Sequence, residues 1–182
     1  MGLDMFLNKM NYVKNWQHQP EETRHHVLAT QDGKPCTHIL RERITYVVEE
    51  VAYWRKANAI HRWFVDNVQD GHDDCGEYRV SRDQLSQLRD DCQKVLAAST
   101  LIDAKITNGV RYENGNMVPM LEDGKAINDA SVAKELLPTQ AGFFFGSTDY
   151  DQYYYDDLVY TRDVLDKLLA EPGDEFEYHS SW

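Results

Sequence analysis

The feature that most constrains this chain is a helix start written into four residues, Ser81-Arg82-Asp83-Gln84. The serine hydroxyl can accept the Gln84 amide proton while the glutamine side chain reaches back, a reciprocal capping box. Behind it Leu85, Leu88, Cys92, Val95 and Leu96 recur at helical spacing, so one face is apolar and has to be covered by the rest of the chain. A second amphipathic stretch lies downstream. Thr148 or Asp149 is its expected cap, Tyr154, Leu158, Thr161, Leu165 and Leu168 share one side, and Pro172-Gly173 ends it. Ala57, Ile60, His61, Phe64 and Val68 predict a third helix, from about Arg43 through Val68, with a break admitted near Trp54. The first part of that span, Ile44 to Val51, is also β-rich. A short helix from Ser131 to Leu137 stops at Pro138.

Leu3, Met5 and Leu7 alternate, which predicts an N-terminal strand. Val27 to Thr30 and Cys36 to Leu40 flank Asp32-Gly33 as a hairpin would, and Val110-Arg111-Tyr112 and Met117-Val118 flank Asn114-Gly115 in the same way. Tyr78-Arg79-Val80 reads as a short extended segment, Phe143-Phe144-Phe145 as a short buried strand or loop, and Glu175 to His179 as a closing strand. The strands and helices do not follow a regular βαβ rhythm. The expected class is α+β, one domain over residues 1–182, with a short mixed or antiparallel sheet packed against three main helices.

At 182 residues the chain is long enough to bury a proper core. Its net charge of -12 is uneven: residues 1–62 hold nine Lys/Arg against seven Asp/Glu, and the remainder ten against 24. With no cation excess to displace counterions, direct nucleic-acid binding is not expected. No stretch approaches a membrane span and the start lacks the shape of a signal peptide, so no membrane partner is expected. Three cysteines, an odd number, read as reduced thiols in a cytoplasm. Asp70-Gly71-His72-Asp73-Asp74-Cys75 offers donor atoms, but its spacing fits neither a zinc site nor an EF-hand loop. No metal and no cofactor are expected.

Two aromatic segments point to a binding site. Tyr53-Trp54-Arg55-Lys56-Ala57-Asn58-Ala59-Ile60-His61-Arg62-Trp63-Phe64 mixes rings with cationic groups, and Gly142 to Asp157 holds three Phe and four Tyr. Large rings are costly to leave wet, and the run Tyr153-Tyr154-Tyr155 spreads over three directions of a helix, so one core face cannot take all of it. The predicted lining is Trp54, Arg55, Lys56, His61, Phe144, Tyr150 and Tyr154. Stacking comes from the rings, and Arg55 and His61 orient a polar or phosphate-bearing group. The plainer reading of His61 is a packed imidazole with one hydrogen-bond partner, a backbone carbonyl or carboxylate. No nucleophile triad is visible, and no catalytic residue is assigned.

Met1-Gly2-Leu3-Asp4-Met5-Phe6-Leu7, Glu50 through Asn58, Ile60-His61 and Gly142 through Gly146 resemble the motifs of a family of small uncharacterised proteins of phage and prophage genomes. Members of that family are sometimes labelled phosphoglycerate kinase. This chain lacks the two nucleotide-binding lobes and the Gly-rich strand-to-helix turn such a kinase needs. The resemblance implies an accessory or anti-defence role in the cytosol of a bacterial host. The expectation is therefore a non-enzymatic binding protein that holds a small nucleotide-like ligand or a host protein. The alternatives are a small hydrolase or transferase with His61 as base and Arg55 stabilising charge, or an acidic DNA mimic. Self-association stays open.

Overall fold

The structure, a computed structural model, describes residues 2–113, 115–173 and 175–182. In chain order the first elements are β1 (Asp4–Tyr12), β2 (Thr30–Gln31), β3 (Lys34–Pro35), β4 (Tyr46–Arg55), α1 (Asn58–Asn67), β5 (Tyr78–Val80) and α2 (Arg82–Ala98). There follow β6 (Leu101–Glu113), β7 (Asn116–Ile127), α3 (Ser131–Leu136), α4 (Gln152–Ala170) and β8 (Phe176–Ser181). The class is α+β, with antiparallel sheets against three main helices.

The principal sheet has the order β4-β1-β8-β5, every pair antiparallel. Alternation along β1 sends Met5 and Leu7 to one face, where Met5 lies between Trp54 and Ser180 and Leu7 between Ala52 and Tyr178. That face, with Leu3, Phe176 and Val80, forms one core cluster with the apolar sides of α1, α2 and α4. The opposite face stays open and carries Phe6 stacked on His179 at 4.7 Å and tilted against Tyr53 at 5.3 Å. A bulge between Leu7 and Asn8 leaves Val51 of β4 unpaired.

The span 43–68 is not one helix. Residues 46–55 form the strand β4, and α1 begins only at Asn58. The run of Val47, Val48, Val51, Tyr53 and Trp54 suits a pleated surface, and β1 supplies a partner ladder, so tertiary pairing overrides the helical spacing. Lys56, at φ 61°, turns the chain between strand and helix.

The capping box of α2 forms in full: Ser81 Oγ accepts from the Gln84 amide, and the Gln84 side chain returns to the Ser81 amide. Leu85, Leu88, Cys92, Val95 and Leu96 are all buried. Arg82 then donates to the carbonyls of Leu169, Glu171 and Gly173, closing the exposed carbonyl end of α4. The expected face of α4, from Tyr154 to Leu168, is buried as read. Its cap is Asp151, not Thr148 or Asp149, because the Asp151 carboxylate reaches the amides of Tyr153 and Tyr154.

The short turn at Asp32-Gly33 has φ 49° and 75° and carries the two-residue strands β2 and β3, smaller than the hairpin expected from Val27 to Leu40. The second hairpin is far longer than expected: β6 and β7 run 13 and 12 residues. Asn114 of its Asn114-Gly115 turn lies outside the described residues. Near its base Ile106 is buried, and Thr107 donates to Asp149. Farther out the arm exposes Val110, Tyr112, Met120 and Leu121. No described helix is long and apolar enough to cross a membrane.

On α4, burial first and then the carboxylates of Asp156 and Asp151 push the Asp157 pKa up to about 7. In the unfolded chain such a carboxyl ionises near pH 4. The native state therefore holds a proton that the unfolded state has released, and stability declines as pH rises from about 4 through about 7. Asp157→Asn removes this penalty. The variant is expected to be more stable than the parent by about 2–4 kcal/mol at pH 8 and equal to it near pH 4, by urea unfolding at each pH.

Candidate functional site

The two aromatic segments meet, and Asn58 is what joins them. It is buried at the first turn of α1, and its amide nitrogen donates to the carbonyls of Phe145 (3.1 Å) and Ser147 (2.8 Å). Its carbonyl oxygen accepts from the Gln140 amide at 3.0 Å. Gly146, at φ 92°, packs against Lys56, where a Cβ would stand 3.2 Å from the Lys56 Cβ. Only glycine combines that backbone angle with so close an approach. Residues 140–147 are thereby strapped onto the start of α1. They form a turn rather than a strand, with Phe145 alone of the three phenylalanines buried.

Beneath the strap lies a polar relay. His61 Nδ1 is 2.8 Å from the Tyr178 hydroxyl, and Nε2 is 3.1 Å from Asp73 Oδ1. Burial lowers the His61 pKa more than the Asp73 carboxylate raises it, so the ring is neutral near pH 7. The neutral tautomer that satisfies both contacts donates from Nε2–H to Asp73 and accepts the Tyr178 proton at Nδ1. Burial also holds the Tyr178 phenol well above its usual range. Asp73 accepts two further bonds, from the Trp182 indole at 3.0 Å and the Gln140 side-chain Nε2 at 3.3 Å. Both His61 and Tyr178 have 0 % of their surface exposed. A general base has to reach a substrate proton. Here both imidazole nitrogens are engaged and the ring is enclosed, so the relay acts as an internal latch.

The seven residues expected to line one pocket are spread from the core to the surface. Trp54, His61 and Tyr154 are core residues with no free ring face. The Trp54 indole donates to Thr161 Oγ1 at 2.9 Å, and the Tyr154 hydroxyl donates to the Leu137 carbonyl at 2.9 Å. Each polar tip finds a partner inside, so the rings serve the core and not a ligand. Tyr150 is half-buried: its ring lies 4.9 Å from Tyr154, and its hydroxyl accepts from the Thr139 amide at 3.3 Å. Arg55 points along the open sheet face, 4.0 Å from Asp4. Lys56 and Phe144 stay at the surface where the segments join.

Lys56 and Phe144 also share a backbone peculiarity. They have φ of 61° and 63°, a left-handed conformation that bulky L-residues avoid. Phe144 is 53 % exposed and Phe143 79 % exposed, their rings 4.2 Å apart. Both Lys56 Cε and the Phe144 carbonyl come within 4 Å of where a Cβ on Gly2 would stand. The result is an exposed aromatic knob with a cation at its foot. Of the Tyr153-Tyr154-Tyr155 run, Tyr153 is the ring left exposed.

Two of the three carboxylates of the Asp70–Cys75 loop are engaged internally. Asp73 serves the relay, and Asp74 accepts from the Gly76 amide (2.9 Å) and the Tyr78 hydroxyl (3.0 Å), which lower its pKa. Among the described residues no group of three or more His, Cys, Asp or Glu side chains is placed to hold a metal ion. The roles of Asn58, Asp73 and Tyr178 are invisible in sequence, because their partners lie far along the chain.

Asn58→Ala leaves two carbonyls and one amide without their partner. It is expected to cost about 3 kcal/mol in urea unfolding and to speed amide exchange at Gln140 more than at the α2 core. No family model matches the chain, and no curated protein and no solved structure matches it.

Proposed function

We propose that this chain is a non-enzymatic binding protein that engages a protein partner through the Phe143–Phe144 knob, with Lys56 beside it. The observation that carries this reading is the left-handed backbone at Phe144. Strain of this kind costs about 1–3 kcal/mol and persists where the surroundings enforce it. Here the Asn58 strap enforces it, and its effect is to hold two phenylalanine rings in solvent. A core has no use for such a device. Paired exposed rings are the usual anchors of a protein interface, filling a pocket on the partner while a neighbouring cation fixes orientation.

The distal β6–β7 arm adds a second exposed apolar surface, which agrees with a binding role. The enclosure of His61 speaks for binding over the enzyme alternative, in which that ring would have to meet a substrate. The resemblance to phage-associated proteins makes a host protein the expected partner and the host cytosol the expected setting.

Binding and folding separate cleanly at position 144. Phe144→Gly relieves the left-handed strain while removing one ring. Its thermal stability is expected to stay within about 1 kcal/mol of the parent, whereas Phe145→Ala loses about 3–5 kcal/mol from the core. A photo-crosslinking phenylalanine analogue placed at position 143 in bacterial cells is expected to trap one discrete protein. Phe144→Gly should weaken that complex at least about tenfold. Crosslinking that is diffuse, or that Phe144→Gly leaves unchanged, would sink this reading.

A further inference from the structure

Residues 13–45 connect β1 to β4 with little regular structure, and none of them is buried. Connections of this length inside a folded domain are either disordered or kept for a purpose, since ordering them costs entropy that no core repays. This one is held by polar bonds. Asn15 and His25 exchange two of them, each 2.8 Å, between side-chain amide and backbone. Arg24 donates to the Gln19 carbonyl at 3.0 Å, and the Arg41 guanidinium lies 2.8 Å from His26 Nδ1.

The connection is also chemically unlike the rest of the molecule. It carries Lys14, Arg24, Lys34, Arg41 and Arg43 against Glu21, Glu22, Asp32 and Glu42, with four of the seven histidines, in a chain of net charge -12. It lines two adjoining open clefts of about 390 and 380 Å³, which share Val27, Arg41 and Ile44. Volumes of this size suit a small organic ligand. The first cleft is evenly mixed, with Lys14, Asn15, His25, Arg41 and Glu42 on its walls beside Val13, Val27 and Ile44. The second is mainly apolar, with Leu28, Ala29, Pro35 and Ile39.

We propose that the paired clefts bind a nucleoside monophosphate. Lys14 and Arg41 take the phosphate, the natural partners of a doubly charged oxyanion. Glu42, in the same cleft, would repel a bare anion, so the ligand has to bring a hydrogen-bond donor to it. A ribose hydroxyl does so, as carboxylates do in other nucleotide sites. The apolar cleft takes the base against Val27 and Ile39, with the Arg41 guanidinium, common to both compartments, along one side. This site stands apart from the Phe143–Phe144 knob and does not depend on the reading of that surface.

The test is an NMR titration of amide shifts in the full chain with AMP, GMP, CMP and UMP in turn. At least one monophosphate is expected to shift the amides of Asn15, His25, Val27 and Ile44 saturably. The matching nucleoside and inorganic phosphate should each bind at least about tenfold more weakly. Lys14→Met and Arg41→Met separate charge from shape. Arg41 also holds His26, whereas Lys14 only overlies the Trp16 ring, at 5.0 Å, so Lys14→Met is the variant that spares the local fold. Loss of binding in either variant, with a dispersed spectrum, is the expected result. The proposal is overturned if no monophosphate moves those amides, if the nucleoside alone binds as tightly, or if both methionine variants bind as the parent does.

Discussion

Tyr178 lies flat on Phe64, ring centroids 3.9 Å apart and planes within 7°, and the rest of the structure is arranged around that contact. The stack fastens the middle of the sheet to α1 through buried aromatic area. Its consequence is chemical as well as mechanical. The phenol hydroxyl is carried to His61, His61 to Asp73, and Asp73 to Gln140 and Trp182. A buried hydroxyl and a buried imidazole each demand a partner, and each is satisfied by the next group in line. The one end of this chain of bonds that approaches solvent is also the end that holds the strap over α1. The same stack thus fixes the core and sets the position of the exposed rings above it.

What the sequence made legible follows from how local the cause is. The start and apolar face of α2 depend on residues within a few turns of one another, and they were readable down to individual side chains. The buried side of α4 was readable for the same reason, but its cap was not. Asp151, Asp149 and Thr148 are all good capping residues, and which of them reaches the free amides depends on the incoming path of the chain. The stretch 46–55 misled because Val48 and Val51 satisfy a helical period and a strand equally, and its strand partner begins at residue 4. The length of β6 and β7 left little trace, since a ribbon exposed along most of both faces has little polar–apolar alternation to detect.

The candidate site shows the same division. Aromatic and cationic density singled out two distant segments but left open whether they meet, and the Asn58 bonds show that they do. It could not tell rings bound for the core from rings left outside, because Trp54 and Phe144 look alike until their neighbours are known. The answer lies in backbone geometry and in one asparagine, neither of which has a compositional signature. The interior is settled by apolar burial and paired polar tips. The surfaces that interior supports are three, different in character: an aromatic knob, an arm that exposes apolar side chains and a cationic cleft region on an acidic body.

The sheet order has a kinetic consequence. β8 sits between β1 and β5, so the strand at 4–12 must wait for the segment at 176–181 before its second ladder can close. Loop closure over so long a separation is slow, and native contacts of this kind raise the folding barrier. Until that insertion, Leu7 has one strand neighbour fewer and the Phe64 ring lacks the Tyr178 ring that stacks on it. A growing chain can form α2 and the β6–β7 ribbon early, from local contacts, but it carries an unfinished sheet until β8 is in place. Over that interval the open edge of β1 is the point at which a misplaced strand, from this chain or another, would do the most harm.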